Sequence, residues 1–162
     1  MIRRMTQRDI PAVQHVARES WHATYAGIIP KHVQDDFLHN AYSDEQMVRR
    51  LQHSHLWVAE KDGEVVGYAN FSPVTDGKVE LGAIYLLPAY QGQGIGTALL
   101  NRGLQELLDV KEVWVNVEKQ NRIGRTFYEA KGFQLVKEFT EDFAGHQLQT
   151  VRMVLKVNGK KS

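Results

Sequence analysis

The residues Gln91-Gly92-Gln93-Gly94-Ile95-Gly96 set three glycines at alternate positions, after a hydrophobic run that Pro88 stops and before an apolar helical stripe. Where side chains are missing, backbone amides can approach an anion closely. The N-terminus of the following helix adds free N–H groups and the positive end of its dipole. A pyrophosphate suits this chemistry, and a plain tight strand-to-helix connection explains the glycines equally well. Spacing excludes two other phosphate-binding signatures. A P-loop needs lysine and then serine or threonine after its last glycine, whereas Gly96 leads into Thr97-Ala98. A dinucleotide fingerprint needs a third glycine where Thr97 stands and an acid at the end of the next strand. Glu112 lies at a suitable distance but precedes that strand.

Other reactive chemistry is sparse. The 162 residues contain no cysteine, which removes disulfides, thiolate metal sites and an acyl-cysteine intermediate, and which fits a reducing compartment. Seven histidines include His53 and His55 one residue apart and the pairs His15/His22 and His32/His39, but no acid cluster joins them at ligand spacing, so no metal is expected. No Gly-x-Ser-x-Gly elbow supports a serine hydrolase. Lys and Arg total 20 against 19 Asp and Glu, a balance that predicts neither a nucleic-acid nor a membrane partner. Polar Thr6-Gln7-Arg8-Asp9 follows the basic start where a signal peptide needs an apolar core, and no run approaches the roughly 18 apolar residues of a membrane helix. A cytoplasmic location is expected.

These groups need a scaffold, and local patterns supply one expected domain over residues 1–162. Met1 to Met5 suits a short strand. Thr6 with Asp9 opens a helix whose stripe is Ile10, Val13, Ala17 and Trp21. Pro30 suits the first turn of a second helix reaching Leu38, and Ser43 with Gln46 makes a capping box for a third ending near His53. Leu56 to Ala59 and Val65 to Ala69 flank Asp62-Gly63, a hairpin signal. A strand Val79 to Leu87 follows. Leu104, Leu107 and Leu108 continue the stripe of the helix after the glycines, and Val113 to Val117 forms a strand parallel to Val79–Leu87 by the crossover rule. A helix from Asn121 to Ala130 and antiparallel strands near Gln134 to Phe139 and Gln147 to Val157 complete the chain, leaving Asn158 to Ser162 as a frayed tail. The class is α/β (α+β).

The chain from Leu56 to Val157 resembles the GNAT acetyltransferase superfamily, whose signature is Gln or Arg, two residues, Gly, one residue, then Gly or Ala. Gln91, Gly94 and Gly96 meet it, and Ile84 to Tyr90 match the usual lead-in. Asn121, Phe127-Tyr128 and Gly132-Phe133 match a second family block in the right order and at the right separation. The resemblance implies a mixed sheet of about seven strands flanked by helices, with a splayed central parallel pair. It also implies acetyl-CoA as co-substrate and direct acetyl transfer to a primary amine, which is a small molecule, a polyamine or a peptide N-terminus, in a ternary complex. Ile84, Tyr85 and Leu86 would bond the pantetheine arm, and Gly92, Gln93, Gly94, Ile95, Gly96 and Thr97 would cradle the pyrophosphate. A bulge amide would hold the thioester oxygen, a contribution of about 2.7–4 kcal/mol to the transition state.

The same resemblance assigns Tyr128 as general acid and Asn121 as a ligand of the cofactor arm. Without it, Tyr128 is an amphipathic tyrosine packing beside Phe127 and Asn121 a helix cap. Glu80, four residues before Ile84, occupies a position where some members place their base. A solvated strand-start glutamate and proton loss through waters are the alternatives, and Asn116 stands where other members carry a glutamate. Trp21 and Tyr25, four apart on one helix face, wall an acceptor pocket or pack in the core. The Thr24-Tyr25 context and the Gln147 to Val154 ending weakly resemble Bacillus-type polyamine (spermidine/spermine) N-acetyltransferases. The rival function is a catalytically inactive CoA-binding regulatory or interaction module, and the resemblance leaves a homodimer open.

Overall fold

The computed structural model describes residues 1–157, so the tail expected at Asn158 to Ser162 lies outside the described residues. After strand β1 (Ile2–Arg4), the Thr6 amide and hydroxyl both donate to Asp9 Oδ2, at 2.8 and 3.1 Å, closing a 3-10 turn over Gln7–Asp9. Helix α1 (Ile10–Tyr25) therefore begins at Ile10, and it buries Ile10, Val13, Ala17 and Trp21 as the stripe predicts. Helix α2 (Lys31–Ala41) starts just after Pro30, whose carbonyl accepts from Val33 and Gln34, and it runs beyond the expected end at Leu38. Helix α3 (Asp44–His53) is capped by Ser43, whose hydroxyl accepts from the Gln46 amide at 3.2 Å.

Strands β2 (His55–Lys61) and β3 (Glu64–Phe71) meet at Asp62 and Gly63, with φ of 52° and 80°, the left-handed pair of a type I′ turn. They are followed by β4 (Lys78–Leu86), α4 (Ile95–Glu106), β5 (Glu112–Glu118), α5 (Arg122–Ala130), β6 (Gln134–Phe143) and β7 (His146–Lys156). The order in the sheet is β1-β2-β3-β4-β5-β7-β6, with β4 and β5 parallel and the other pairs antiparallel. Two expectations need correction. Glu112 is the first residue of β5, paired with Lys78, rather than a residue before it. The α4 stripe stops at Leu104: Leu107 has left the helix but is still buried, and Leu108 is 72% exposed, because the chain turns through Asp109 at φ 61°.

The sheet separates two apolar layers. Helices α4 and α5 cover one face over Trp57, Phe71, Val113 and Val115, and α1, α2 and α3 cover the other over Leu56, Val58 and Tyr68. Helix α4 lies close because Gly103 faces Phe71; a Cβ there would sit 2.4 Å from the ring.

The site depends on one irregularity. Strands β4 and β5 pair only through Lys78, Val79 and Glu80 against Glu112, Val113 and Trp114. Beyond Glu80, Phe71 of β3 faces Leu81 while Asn70 faces Ala83, so Gly82 is an extra residue on β4. Such a bulge bends its strand. Strand β5 instead stays paired with β7 as far as Glu118 and Thr150. The two strands diverge, and their facing edges are left without a partner.

Candidate active site

A cleft of about 430 Å³ fills that divergence. Leu81 to Leu86 of β4 line one side, Asn116 and Val117 of β5 the other, and α5 closes it with Asn121, Gly124, Phe127 and Tyr128. Its outer end is the glycine turn, where Gln91, Gly92, Gly94, Gly96 and Thr97 line the cleft. Gly92 and Gly94 hold φ of 78° and 81°, a conformation costly for any residue with a Cβ, and nothing lies within 4 Å of where a Cβ would stand. None of the amides from Gly92 to Thr97 is donated to another described residue. The first backbone bond after them runs from Ala98 to the Gly94 carbonyl at 3.0 Å. Unsatisfied N–H groups at the start of α4, opening on free space, form an anion cradle. Lys131 alone among the lining residues carries a formal charge, and it is positive.

The cradle splits the expected set. Gln93 turns its side chain outward, where its Oε1 accepts from Lys61 Nζ at 2.7 Å, and Ile95 packs on the apolar layer beneath α4. Their backbone amides remain in the turn. Ile84, Tyr85 and Leu86 all line the cleft, with β3 pairing one edge of the strand and the other edge open.

At the inner end, Asn121 caps α5, its Oδ1 accepting from the Gly124 amide at 2.9 Å, and it lines the cleft at the same time. Tyr128 is buried between Phe127 and Phe133, with ring centroids at 5.5 and 5.2 Å. Its hydroxyl has no hydrogen-bond partner among the described residues and is not sealed from solvent, so it is open to the cleft. Burial, with the nearby Tyr25 phenol adding to it, pushes the Tyr128 phenol above its ordinary value. It is a proton donor at neutral pH.

Trp21 and Tyr25 part company despite sharing a helix face. Tyr25 lines the cleft, and its hydroxyl lies 3.0 Å from that of Tyr85. Trp21 packs among Tyr25, Phe37 and Phe143, with ring centroids at 4.5, 4.6 and 5.9 Å, and it is absent from the lining. Glu80 is also outside the lining. Both its oxygens are held by Arg152, which donates to Asn116 Oδ1 at 3.1 Å and lies 4.7 Å over the Trp114 ring. Sequence reasoning missed Arg152, which reaches Asn116 only through the β5–β7 register. Thr24, named beside Tyr25, lines the cleft, while Gly124 and Lys131 were missed; of these two, only Gly124, standing where a cap requires a free amide, left a local signal.

Residues 14–133 match the Acetyltransferase (GNAT) family. A spermidine N(1)-acetyltransferase of Thermoplasma acidophilum is 29% identical over 150 residues, covering 88% of this chain and 92% of that protein. The uncharacterised N-acetyltransferase YuaI of Bacillus subtilis is 34% identical over 158 residues, covering 93% and 89%. In three dimensions, the PaiA N-acetyltransferase of Thermoplasma acidophilum, crystallised with coenzyme A, superposes with a TM-score of 0.83 at 27% identity over 97% of this chain and 98% of that one.

Proposed function

The chain belongs to the Acetyltransferase (GNAT) family and is an N-acetyltransferase, and from that premise we propose that it transfers an acetyl group directly from acetyl-CoA to a primary amine bound beside it. One observation carries this: a single cleft runs from the undonated amides of Gly92 to Thr97 to the free Tyr128 hydroxyl, along two strand edges without partners. The arrangement suits a ligand that is anionic at one end and able to add to a strand edge. When bound, acetyl-CoA supplies the thioester carbonyl and the thiol leaving group.

The residues divide the work. The amides from Gly92 to Thr97 bind the pyrophosphate, and the Ile84 to Leu86 edge orients the arm as an added strand would. An amide freed at the Gly82 bulge holds the carbonyl oxygen as charge develops. Tyr128 donates its proton to the leaving sulfur. Asn121 steadies the arm while capping α5. Tyr25, with Thr24, lines the acceptor end. The Thermoplasma relative named for spermidine favours a polyamine among primary amines. Glu80 serves as base only if its pair with Arg152 opens.

Thiol release from acetyl-CoA, measured with polyamines, amino-terminal peptides and aminoglycosides, tests this. Release with at least one amine, together with the acetylated amine in the products, supports it. Tight coenzyme A binding without release for any acceptor would instead identify a non-catalytic module.

A further inference from the structure

An amine that arrives as an ammonium ion must lose a proton before it attacks, and the cleft lining carries no carboxylate. Two carboxylates stand near it on the face of the sheet covered by α1. Glu80 is one, and Arg152 holds both of its oxygens. The other is Glu118, the last residue of β5. Strand alternation puts Glu118 on the same face as Asn116, opposite Thr150 of β7. Its exposure is only 8%.

Its two oxygens differ. Oε2 accepts from the Gln120 amide. Oε1 accepts no hydrogen bond from the described residues and yet is not sealed from solvent. Among the described residues no lysine, arginine or histidine pairs with Glu118. A buried carboxylate with one free oxygen and no countercharge is suited to a cation that comes from outside the chain. Glu118, like Glu80, is not itself in the lining, but Val117 just before it and Asn121 three residues after it are. Tyr25 lines the same cleft; burial raises its phenol first, and the charge of Glu118 adds to it.

Resting on the acetyl-transfer reading above, we propose that Glu118 holds the acceptor's ammonium group beside the inner end of the cleft, next to Val117 and Asn121, and removes its proton. The step balances. The ammonium gives one proton to Glu118, and the neutral nitrogen forms its bond to the carbonyl carbon as the carbon–sulfur bond breaks. The sulfur takes the Tyr128 proton. The second proton lost as the amide forms restores the phenol, and Glu118 passes its own to solvent. The titratable group of α1 that feels Glu118 is Tyr25, and on β7 Thr150 stands opposite it, its Oγ1 donating to Glu141 Oε1 of β6 at 2.9 Å. Tyr85 reaches Glu118 through Tyr25.

The test compares the full-length wild type with Glu118→Gln. The amide oxygen still accepts from Gln120, so coenzyme A affinity and the unfolding midpoint stay unchanged. Amine kcat/KM falls about 100-fold at neutral pH, and the deficit shrinks as rising pH delivers the amine already neutral. A loss of less than about twofold, or a deficit constant across pH, overturns the proposal. The wild type offers an arm that needs no variant: a trimethylammonium analogue of the acceptor competes with the amine, and the corresponding alcohol does not. Equal inhibition by both also overturns it. If the wild type releases no thiol with any amine, the acetyl-transfer reading fails first.

Discussion

Replacing Tyr128 with phenylalanine separates catalysis from packing unusually well at this site. The hydroxyl has no partner in the described chain, while the ring keeps its neighbours Phe127 and Phe133 at 5.5 and 5.2 Å. Removing an unpartnered polar atom costs little stability, so the unfolding free energy should move by less than about 0.5 kcal/mol. Loss of a general acid is worth about 10²–10⁴ in rate, or roughly 3–5 kcal/mol in the barrier. Stopped-assay thiol release gives kcat, titration calorimetry gives coenzyme A affinity, and urea unfolding gives stability. We expect kcat to collapse while the other two hold. The pH profile adds an independent check. Burial, and then Tyr25, raise this phenol above its ordinary value, so the wild-type kcat should not lose its acid until pH exceeds about 10. A kcat reduced less than about tenfold, or a large loss of stability, would refute the assignment.

Further outcomes concern the scaffold. Asp9→Asn should destabilise by about 2 kcal/mol at neutral pH, because Arg3 holds the Asp9 carboxyl at about 2, below the usual 3.8. A folded value below the unfolded one gives stability that is present above the unfolded value and lost as pH falls through about 2, so denaturant curves for variant and wild type should converge in strong acid. Gly103→Ala should cost about 1–3 kcal/mol through overlap with the buried Phe71 ring, read as a lower thermal midpoint. Gly94→Ala, in open space but at φ 81°, should lose about 1–2 kcal/mol to backbone strain and weaken coenzyme A binding in calorimetry. Tyr25, Tyr68, Tyr85 and Tyr128 are all raised by burial. Folded values above the unfolded one give stability that is complete below about pH 10 and declines above it, by about 1.4 kcal/mol per group per pH unit; urea midpoints from pH 9 to 11 should fall accordingly.

Local chemistry was legible wherever a short segment dictates its own backbone. Asp62-Gly63 makes a hairpin turn, Ser43 and Asn121 cap helices, and Pro88 ends a strand, each through sterics or hydrogen bonds within a few residues. The end of α4 was not legible, since Leu107 and Leu108 extend an apolar period that the turn at Asp109 interrupts. The 3-10 turn before α1 escaped notice for a similar reason: Arg3 and Glu60, one of them 51 residues beyond Asp9, help to hold the Asp9 carboxylate and its partner in place.

By itself, then, the sequence determined the glycine turn and the capped start of α5 in this protein. The glycines from Gly92 to Gly96 and the span from Asn121 to Tyr128 are contiguous, so their backbone amides and cap follow from local conformation wherever the segment is placed. Tertiary structure alone decided which side chains reach the inner end of the cleft. That Tyr25 faces the cleft while Trp21 packs beneath it depends on how α1 crosses the sheet. That Arg152 pairs with Glu80, while Glu118 has no cationic partner among the described residues, depends on the β5–β7 register and on the divergence of β4 beyond Gly82. Pairing between distant strands sets which carboxylate Arg152 meets, and no local pattern encodes it.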